Sequence, residues 1–355
     1  MRKVIMIGPD RFARGGMSTV IDIYLRSGYE ADGRCQFLRT QCQGSFLRRS
    51  LVLIHSLMVY LGFLLSGRML LLHAHVASGK SFWRKSIFIC LAYIFRRPVI
   101  FHLHGGEFAQ FVEERIPPWR KKFVLAVIAK ADQVFALTLQ AERWLLEVGN
   151  AKNVLVLPNP MIVPPRGNAP NRGKDVLFIG GIQREKGIYD LLDAFKMVLF
   201  TIPDARLVVC GAGDTAGVKA SAQAIGIERK LHFAGWVNEA ERNAWLASAG
   251  VYVLPSHFEQ MPMSVLEAMA AGCPVVATRV AAVPEILDHQ VSGRLVDVGD
   301  VSAMAAEIVA TLSNSLLSQQ LADEAYAVVS SRYEASRVVG QLKGQYTKYS
   351  AKKYK

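Results

Sequence analysis

The chain has 355 residues, which exceeds the usual size of a single hydrophobic core and predicts two domains. A hydrophobic fraction of 51% and a charged fraction of 20% are typical of a folded globular protein and exclude a disordered chain. The five cysteines are odd in number and form no C-x-x-C pair. They argue against a disulfide framework or a structural zinc site and favour a reducing, cytoplasmic compartment.

The formal net charge of +13 is unevenly distributed along the chain. Residues 1–165 contain 22 Lys and Arg against 10 Asp and Glu, whereas residues 166–342 contain 15 against 19. A basic N-terminal half predicts an anionic partner, such as phospholipid, nucleic acid or a phosphorylated substrate. Because no helix-turn-helix, RRM or zinc-finger signature is present, we expect no nucleic-acid partner and favour an anionic membrane surface.

The first predicted strand, residues 4–7, runs into a loop that ends in Gly15 and Gly16. Ser18 is a good N-cap residue, so the pattern predicts a helix that begins near it. Paired glycines before a helix N-terminus let a phosphate approach backbone N–H groups at the positive end of the helix dipole. A plain turn is the alternative interpretation of the two glycines.

An apolar run at residues 51–65 follows the basic pair Arg48 and Arg49. The run is too short to predict a membrane-spanning helix. Its default interpretation is a helix buried against the sheet. The alternative is an interfacial helix that lies on anionic lipid, with the two arginines at the headgroups.

Gly79, Lys80 and Ser81 resemble the end of a Walker A phosphate-binding loop. That motif needs a glycine five residues before Gly79, where this chain has Ala74, so we reject it. A different pattern follows the next predicted strand, residues 98–101.

His104 and two glycines stand at the end of that strand, and His75 stands at the end of the strand before it. A histidine at the carboxyl end of a parallel strand is positioned to face a substrate. A purely structural role is the alternative interpretation of these histidines.

Residues 158–173 are rich in Pro, Gly and Asn without hydrophobic periodicity, and we predict them to be the linker between the domains. A second α/β set then begins with a strand at residues 175–179. Its loop runs from Gly180 to Gly187, contains Lys186 and leads directly into a helix. A glycine-rich turn, a lysine and a helix N-terminus together predict a pyrophosphate cradle.

Residues 211–216 match the dinucleotide-binding pattern G-x-G-x-x-A. The match follows the second strand of its domain instead of the first, and the next strand lacks an acidic residue at its end. We therefore do not predict a nicotinamide enzyme.

Residues 256–278 hold two carboxylates, Glu259 and Glu267, between predicted strands at residues 251–254 and 274–277. Strand, loop, helix and strand form a βαβ unit, and ligands bind beyond the carboxyl ends of such strands. We expect Glu259 in the loop and Glu267 in the helix. Because an ionised carboxylate is costly to bury, a solvent-facing Glu267 is the simpler interpretation, and a ligand-binding carboxylate is the alternative.

Taken together, these residues resemble glycosyltransferase family 4. The resemblance is strongest over residues 175–298, where the landmarks follow in the family's order and spacing: Gly180, Lys186, Gly187, Gly211, Gly213, Gly235, Pro255, Ser256, Glu259, Pro262, Glu267, Gly272, Pro274, Pro284, Glu285 and Gly293. The N-terminal half matches more loosely, through Gly15, Gly16 and the histidines that follow two of its strands. The resemblance implies an α/β protein of the GT-B class, with two facing Rossmann-like, doubly wound domains and an interdomain cleft.

The resemblance also implies roles for individual residues. Glu267 would accept hydrogen bonds from the ribose hydroxyls of a nucleotide, and Lys186 would neutralise the leaving diphosphate. Two residues are implied as catalytic: Glu259 at the sugar end of the donor, and His104 in contact with the transferred sugar or the developing charge. The remaining donor-binding residues that it implies are Gly15, Gly16, Val237, Gln260, Met261, Pro262, Met263, Ser264 and Val265.

Two positions depart from the family pattern. The family often has an arginine five residues before the lysine, where this chain has Gly181, and we expect Arg184 to replace it in donor binding. The family also often has a glycine-rich stretch after the first glutamate, where Gln260 and Met261 stand. These departures affect sugar recognition and leave the expected fold unchanged.

From the resemblance we expect a retaining, metal-independent glycosyltransferase that moves a sugar from a nucleotide diphosphate sugar to a lipid-linked or cell-surface glycan. No cofactor is implied, and the chain contains no Asp-x-Asp motif. We expect an acceptor domain at residues 1–165, a donor domain at residues 174–335 and a basic tail, residues 336–355, that packs on the acceptor domain. The expected location is cytoplasmic, peripheral at the membrane. The alternatives are a nucleotide-sugar epimerase of the same fold and an inactive scaffold protein.

Overall fold

The structure, a computed structural model, describes residues 2–29, 33–166 and 172–350. The chain divides into two compact units, which we call unit 1 (Met1–Pro160 with Ala335–Lys355) and unit 2 (Met161–Glu334). Of the predicted linker, residues 167–171 lie outside the described residues, as do residues 351–355 of the predicted tail.

Unit 1 is built on a parallel sheet of six strands in the order β2-β1-β3-β4-β5-β6. The strands are β1 Lys3–Pro9, β2 Cys35–Gln41, β3 Met69–Val76, β4 Val99–Leu103, β5 Gln133–Ala136 and β6 Val154–Val156. The inner strands are almost continuously apolar and buried, because helices cover both faces of a parallel sheet. The helices of this part are α1 Gly16–Tyr24, α2 Phe46–Leu65, α3 Lys80–Ile94, α4 Phe108–Glu113, α5 Pro118–Ala129 and α6 Leu139–Glu147.

Unit 2 repeats this architecture with six parallel strands in the order β12-β11-β10-β7-β8-β9. Its strands are β7 Asp175–Ile179, β8 Arg206–Cys210, β9 Leu231–Gly235, β10 Val251–Leu254, β11 Val275–Thr278 and β12 Arg294–Val296. Its helices are α7 Ile188–Thr201, α8 Thr215–Ala224, α9 Glu239–Ser248, α10 Met263–Ala270, α11 Val283–Ile286, α12 Val301–Ser313 and α13 Ser315–Arg332. The expectation of two Rossmann-like, doubly wound α/β sheets is confirmed.

The last helix, α14 Ala335–Ser350, belongs to unit 1 although it follows unit 2 in the chain. It packs on α1 and β3. Its Tyr346 hydroxyl lies 2.5 Å from Nδ1 of His73 on β3. The C-terminal helix therefore contributes a side chain to the interior of unit 1.

The position of α2 corrects its default interpretation as a buried helix. Only Ser56, Tyr60 and Leu64 are buried along its 20 residues. These three lie four residues apart, and partly buried neighbours such as Leu57 and Leu61 pack beside them, so one face of the helix meets the unit. By length and composition α2 is also the one single helix among the described residues that is long and apolar enough to cross a membrane.

Each sheet has a point where the strand order reverses direction along the chain. In unit 1 this point lies between β1 and β3, and in unit 2 between β7 and β10. The loops that follow the two strands at such a point diverge to opposite faces of the sheet and leave a crevice, which is where ligands bind in open α/β sheets. The topology therefore predicts one ligand site in each unit.

Candidate functional site

In unit 2 the reversal point brings together two loops that are distant in sequence. The loop after β7 carries Lys186, and the loop after β10 carries Glu259. Gly187 sets the spacing between them. Its φ is +66°, and a Cβ atom there would lie 1.9 Å from the carbonyl oxygen of Pro255. Only glycine fits this approach and this left-handed backbone, so the sequence fixes the contact between the loops.

Lys186 and Glu259 form an ion pair across the two loops, with Nζ and Oε1 2.6 Å apart. Ser256 Oγ donates a hydrogen bond to the same carboxylate oxygen at 3.0 Å. The side chains of Lys186 and Glu259 are 31% and 14% exposed, so the pair is open to a ligand. An ammonium and a carboxylate at one position offer a contact for phosphate and a contact for hydroxyl groups.

Glu267 lies in α10 and is 6% exposed, which corrects its simpler interpretation as a solvent-facing residue. Burial raises the pKa of this carboxyl group, Arg242 opposes the rise, and the charge of Glu239 adds to it. The Arg242 Nε atom on α9 lies 3.3 Å from Oε2 of Glu267. A carboxylate held under this penalty gains from every hydrogen bond that a ligand hydroxyl donates to it.

The loop between Glu259 and Glu267 exposes little of its side chains. Ser264 Oγ accepts a hydrogen bond from Tyr252 Oη at 2.7 Å. Gln260 Oε1 is buried and has no hydrogen-bond partner within the described ranges. Four predicted donor-binding residues have buried side chains: Met261, Pro262, Met263 and Val265. A ligand can therefore contact these residues only through their backbone groups, at the N-terminus of α10, which has no side-chain cap.

Two predicted donor-binding residues lie elsewhere in unit 2. The exposed guanidinium of Arg184 lies over the ring of Tyr189, 4.5 Å from its centroid. Val237 is half-buried in the segment between β9 and α9. Their roles in binding stay predictions.

In unit 1 the reversal point holds a cleft of about 390 Å³. We call it the unit 1 cleft, and it is lined by Pro9, Ala13, Arg14, Gly15, Gly16, Met17, Ser18, Gln41, Cys42, Gln43, Ser81 and Lys85. Helix α1 begins at Gly16, two residues before the predicted start at Ser18, because Gly15 provides the turn with a φ of +128°. The predicted Gly15 and Gly16 pair therefore lies on the wall of a cleft, at a helix N-terminus without a side-chain cap.

Four histidines of unit 1 form two hydrogen-bonded pairs. His104 Nε2 lies 2.8 Å from His75 Nδ1, and His73 Nε2 lies 3.1 Å from His102 Nδ1. Burial lowers the pKa of all four imidazoles, that of His73 to about 3, so the rings are neutral. Ring nitrogens of His73, His75 and His102 lie within 4.8 Å of one another, a grouping open to a metal ion. Because Tyr346 and His102 occupy both nitrogens of His73, we interpret the group as a hydrogen-bond network.

The sequence did not predict a site role for three residues that the structure places at these sites. Ser256 supports Glu259, Arg242 faces Glu267, and Lys85 lines the unit 1 cleft. A signal existed for Lys85, because it falls on the apolar stripe of α3 with Phe82 and Ile89, where a lysine is unexpected. The other two contacts depend on loop and helix packing that no local pattern reports.

Comparison with known proteins agrees with this geometry. Residues 173–314 match the family model described as Glycosyl transferases group 1. A phosphatidyl-myo-inositol mannosyltransferase of Mycobacterium leprae is 34% identical over 234 residues, which are 63% of this chain and 59% of that protein. The matched region thus spans about three fifths of the length of the curated relatives.

Solved structures match nearly the whole chain. The sucrose-phosphate synthase of Thermosynechococcus elongatus has a TM-score of 0.79 and 18% identity, covering 99% of this chain and 100% of that one. Anabaena Alr3699/HepE, solved in complex with UDP and glucose, has a TM-score of 0.77 and 17% identity, covering 98% and 100%. At these identities the likeness shows the fold alone, and it confirms the expected fold class.

Proposed function

We propose that the protein transfers a sugar from a nucleotide diphosphate sugar to an acceptor, because residues 173–314 match the family model described as Glycosyl transferases group 1. The family resemblance read from the sequence is confirmed by this match. In the proposal, unit 2 binds the donor through Lys186, Glu259 and Glu267. The expected retaining course and independence of metal ions are parts of the same proposal.

The observation that carries the proposal is the Lys186–Glu259 pair at the reversal point of the unit 2 sheet. Its atoms are 2.6 Å apart and partly exposed, beside the glycine-rich loop after β7. A nucleotide sugar presents a diphosphate next to a hydroxyl-rich ring. Lys186 binds the diphosphate, and Glu259 accepts hydrogen bonds from the sugar hydroxyls.

Glu267 supplies the nucleoside contact. Burial raises the pKa of this carboxyl group, and the charge of Arg242, whose Nε lies 3.3 Å from Oε2, opposes the rise. Two adjacent ribose hydroxyls are suitable donors to one carboxylate. Hydrogen bonds to a charged group contribute about 1.5–3 kcal/mol each, enough to make Glu267 a main determinant of nucleotide affinity. UDP is the first nucleotide to test, because it is bound in the Anabaena structure of the same fold.

Charge compensation by Lys186 supports the departure of the nucleotide diphosphate in the reaction. Positive charge aimed at the leaving diphosphate stabilises the transition state more than the ground state, since negative charge develops there as the glycosidic bond breaks. In the proposed retaining course, the acceptor hydroxyl attacks from the same face and the leaving phosphate accepts its proton. His104, a neutral imidazole held by His75, is the other residue that the family resemblance implies as catalytic, and its role is part of the same proposal.

The acceptor is a lipid-linked or cell-surface glycan in this proposal, because unit 1 presents a surface suited to anionic lipid. Helix α2 exposes an apolar stripe spaced at helical intervals: Leu47, Leu51, Ile54, Met58 and Leu65, each more than half exposed. Arg48 and Arg49 are exposed at its N-terminal end. An amphipathic arrangement of this kind is suited to the headgroup region of a bilayer, and it supports the part of the proposal in which the protein is peripheral at the cytoplasmic face of a membrane.

A transfer assay tests the proposed function. Purified protein is incubated with UDP-, GDP-, ADP- or dTDP-sugars and a panel of lipid-linked acceptors, and products are identified by mass spectrometry. We expect an acceptor heavier by one sugar with one nucleotide class. Isomerisation of the donor sugar in the absence of acceptor would instead identify an epimerase, and no reaction together with no nucleotide binding would support an inactive scaffold.

Co-sedimentation with vesicles tests the membrane surface. We expect binding to phosphatidylglycerol vesicles and much weaker binding to phosphatidylcholine vesicles. The double variant Leu51→Glu, Ile54→Glu should lose about tenfold or more of this binding, because two apolar side chains leave the lipid and two negative charges enter. Phe200→Glu is the matched control, since Phe200 of unit 2 is 81% exposed. Equal binding of the double variant and the wild type would contradict the role of α2.

A further inference from the structure

Lys85 is a deeply buried lysine on the wall of the unit 1 cleft, with 1% of its surface exposed. Its Nζ donates a hydrogen bond to Ser81 Oγ at 2.7 Å and lies 3.9 Å from Met17 Sδ. No carboxylate of the described residues lies within ion-pair distance of this ammonium group. A buried charge without an opposite charge is costly, so the unliganded cleft holds Lys85 at a penalty.

The packing of α3 does not account for a lysine at this position. Phe82, Ser86, Ile89 and Ala92 are buried on the same face of the helix, at the spacing of an apolar stripe. A methionine has a similar length and would fill this position without a buried charge. Packing therefore does not explain the charge of Lys85, whereas an anionic ligand in the cleft would.

The N-terminus of α1 forms the neighbouring wall. Gly15 has a φ of +128°, and a Cβ atom at this position would meet nothing within 4 Å, so the backbone is open towards solvent. The helix begins at Gly16 without a side-chain cap, and its first N–H groups are available to a ligand. Met17, whose Sδ contacts Lys85, belongs to this first turn. The ammonium group and the positive end of a nine-residue helix therefore meet at one cleft.

The cleft has the position and size of a ligand site. It lies where the strand order of the sheet reverses, and its volume of about 390 Å³ suits a small anionic group with part of its carrier. Arg14 and Lys85 are the charged residues among those that line it, and both are positive.

We propose that Lys85, Ser81 and the N-terminus of α1 form a binding site for a phosphate or diphosphate group within unit 1. The inference rests on the proposed function and deepens it. The family resemblance already implies donor binding by Gly15 and Gly16, and the new assignment is the buried Lys85 with Ser81 beside them. The group belongs either to the acceptor, as a lipid phosphate, or to the donor diphosphate. Lys85 and Ser81 bind it through Nζ and Oγ, and Gly16 and Met17 through their backbone N–H groups.

The protonation of Lys85 adds a measurable signature. Burial, with a contribution from Arg84, lowers the pKa of Lys85 to about 7. The other titratable groups around it are Arg14, Cys42, His75 and His104, none of them a carboxyl. Because the anion binds the charged ammonium, affinity should be greatest below the pKa and should fall as the pH rises through it.

Calorimetry with inorganic pyrophosphate tests the site in a chain that carries Lys186→Met, which removes the lysine proposed to bind diphosphate in unit 2. We expect Lys85→Met in this background to weaken pyrophosphate binding by about tenfold or more, as the loss of a buried charge-assisted contact predicts. Lys80→Met, an exposed lysine at the start of the same helix, is the control and should bind as the background does. The unliganded Lys85→Met chain should melt at the same or a higher temperature, because its buried charge is gone.

Pyrophosphate affinity that stays within twofold of the background after Lys85→Met would overturn the proposal, as would a marked fall in melting temperature, which indicates a structural role. Sulfate, which stays a dianion near neutral pH, provides the pH test. Its affinity should fall by about tenfold between pH 6 and pH 8.5 in the background and stay flat in Lys85→Met. A flat profile in both would contradict the role of the ammonium group.

Two further ligands identify the source of the phosphate. A loss of geranyl diphosphate binding in Lys85→Met, with UDP binding unchanged, assigns the site to the acceptor. A loss of UDP binding with geranyl diphosphate binding unchanged assigns the site to the donor. If Lys85→Met binds both ligands as tightly as the chain with Lys85 does, the proposal is overturned. These measurements need no sugar transfer, so a failed transfer assay would contradict the proposed function and leave this result standing.

Discussion

Each unit places a lysine at the reversal point of its sheet, but the two lysines have opposite electrostatic settings. Lys186 of unit 2 is 31% exposed at its side chain and is paired with Glu259 at 2.6 Å. Lys85 of unit 1 is 1% exposed and has Ser81 and Met17 as its neighbours. Each lysine lies beside a loop or helix start that contains a glycine with positive φ, Gly187 or Gly15.

The difference in exposure and pairing between the two lysines determines how each site would bind an anion. A partly exposed ion pair contributes about 0–1 kcal/mol, so opening the Lys186–Glu259 pair for a ligand costs little. Glu259 is then released for the hydroxyl groups of the same ligand. Lys85 has no pair to open, and an arriving anion relieves its penalty. Unit 2 is thus suited to a ligand with both phosphate and hydroxyl groups, and unit 1 to a phosphate group alone.

The largest expected effect is on transfer, from Lys186→Met. We expect kcat/KM to fall by about 100- to 1,000-fold, because a charge aimed at the leaving diphosphate is lost. Lys196→Met, an exposed lysine on α7, is the control and should retain wild-type activity. Steady-state kinetics with the donor class found in the transfer assay measure both variants. Activity within threefold of wild type in Lys186→Met would remove the main support for the donor site.

The two glycines differ in what surrounds them, and their alanine variants separate steric from backbone effects. A Cβ atom at Gly187 would lie 1.9 Å from the carbonyl oxygen of Pro255, whereas one at Gly15 would meet nothing within 4 Å. We expect Gly187→Ala to lower the free energy of unfolding by about 3 kcal/mol and Gly15→Ala by about 1–2 kcal/mol, the latter from backbone strain alone. Chemical denaturation measures both, and equal losses would contradict the tight contact of the unit 2 loops.

Glu267→Gln gives the smallest expected effect on affinity and a distinct effect on stability. Nucleotide affinity should fall by about tenfold, because the hydrogen bonds to ribose lose their charge. Calorimetry with the matching nucleotide measures this loss, and exposed Glu228→Gln should show none. Unchanged nucleotide affinity in Glu267→Gln would contradict the ribose contact.

The pH dependence of stability follows from the same carboxyl group. Burial raises the pKa of Glu267 in the folded state above its unfolded value of about 4.5. The native state therefore binds more protons between these two pKa values, and wild-type stability falls as pH rises through this window. Compared with Glu267→Gln, the wild type should gain melting temperature as pH is lowered towards 4.5. A difference between the two that stays constant with pH would contradict the buried setting.

The sequence predicted the unit 2 loops well because each loop carries a short recognisable pattern, although the contact between the two loops is long-range. Gly187 is required by one backbone angle and one contact, and the order of Lys186, Glu259 and Glu267 along a βαβ pattern places them near one sheet edge. The burial of Glu267 was not predicted, since it depends on α10 being covered on nearly all sides, with seven of its eight residues buried.

Helix α2 and Lys85 show what a local pattern leaves open. The apolar run predicted a buried helix, yet Leu51, Ile54 and Met58 are each more than half exposed, and composition alone does not show which face packs. For Lys85 the sequence carries opposing signals, because its place on the apolar stripe of α3 favours burial whereas the adjacent Arg84 is typical of an exposed helix start. The burial of Lys85 results from the approach of α1 and the cleft wall, which are distant in sequence.

The central claim is that unit 2 holds a nucleotide sugar donor through Lys186 for transfer to an acceptor. The transfer assay on wild type and Lys186→Met tests it most directly. We predict an acceptor heavier by one sugar with the wild type and a product yield reduced by about 100-fold or more with the variant. Equal yields from the two proteins, or no sugar-bearing product from the wild type with any nucleotide sugar, would contradict the claim.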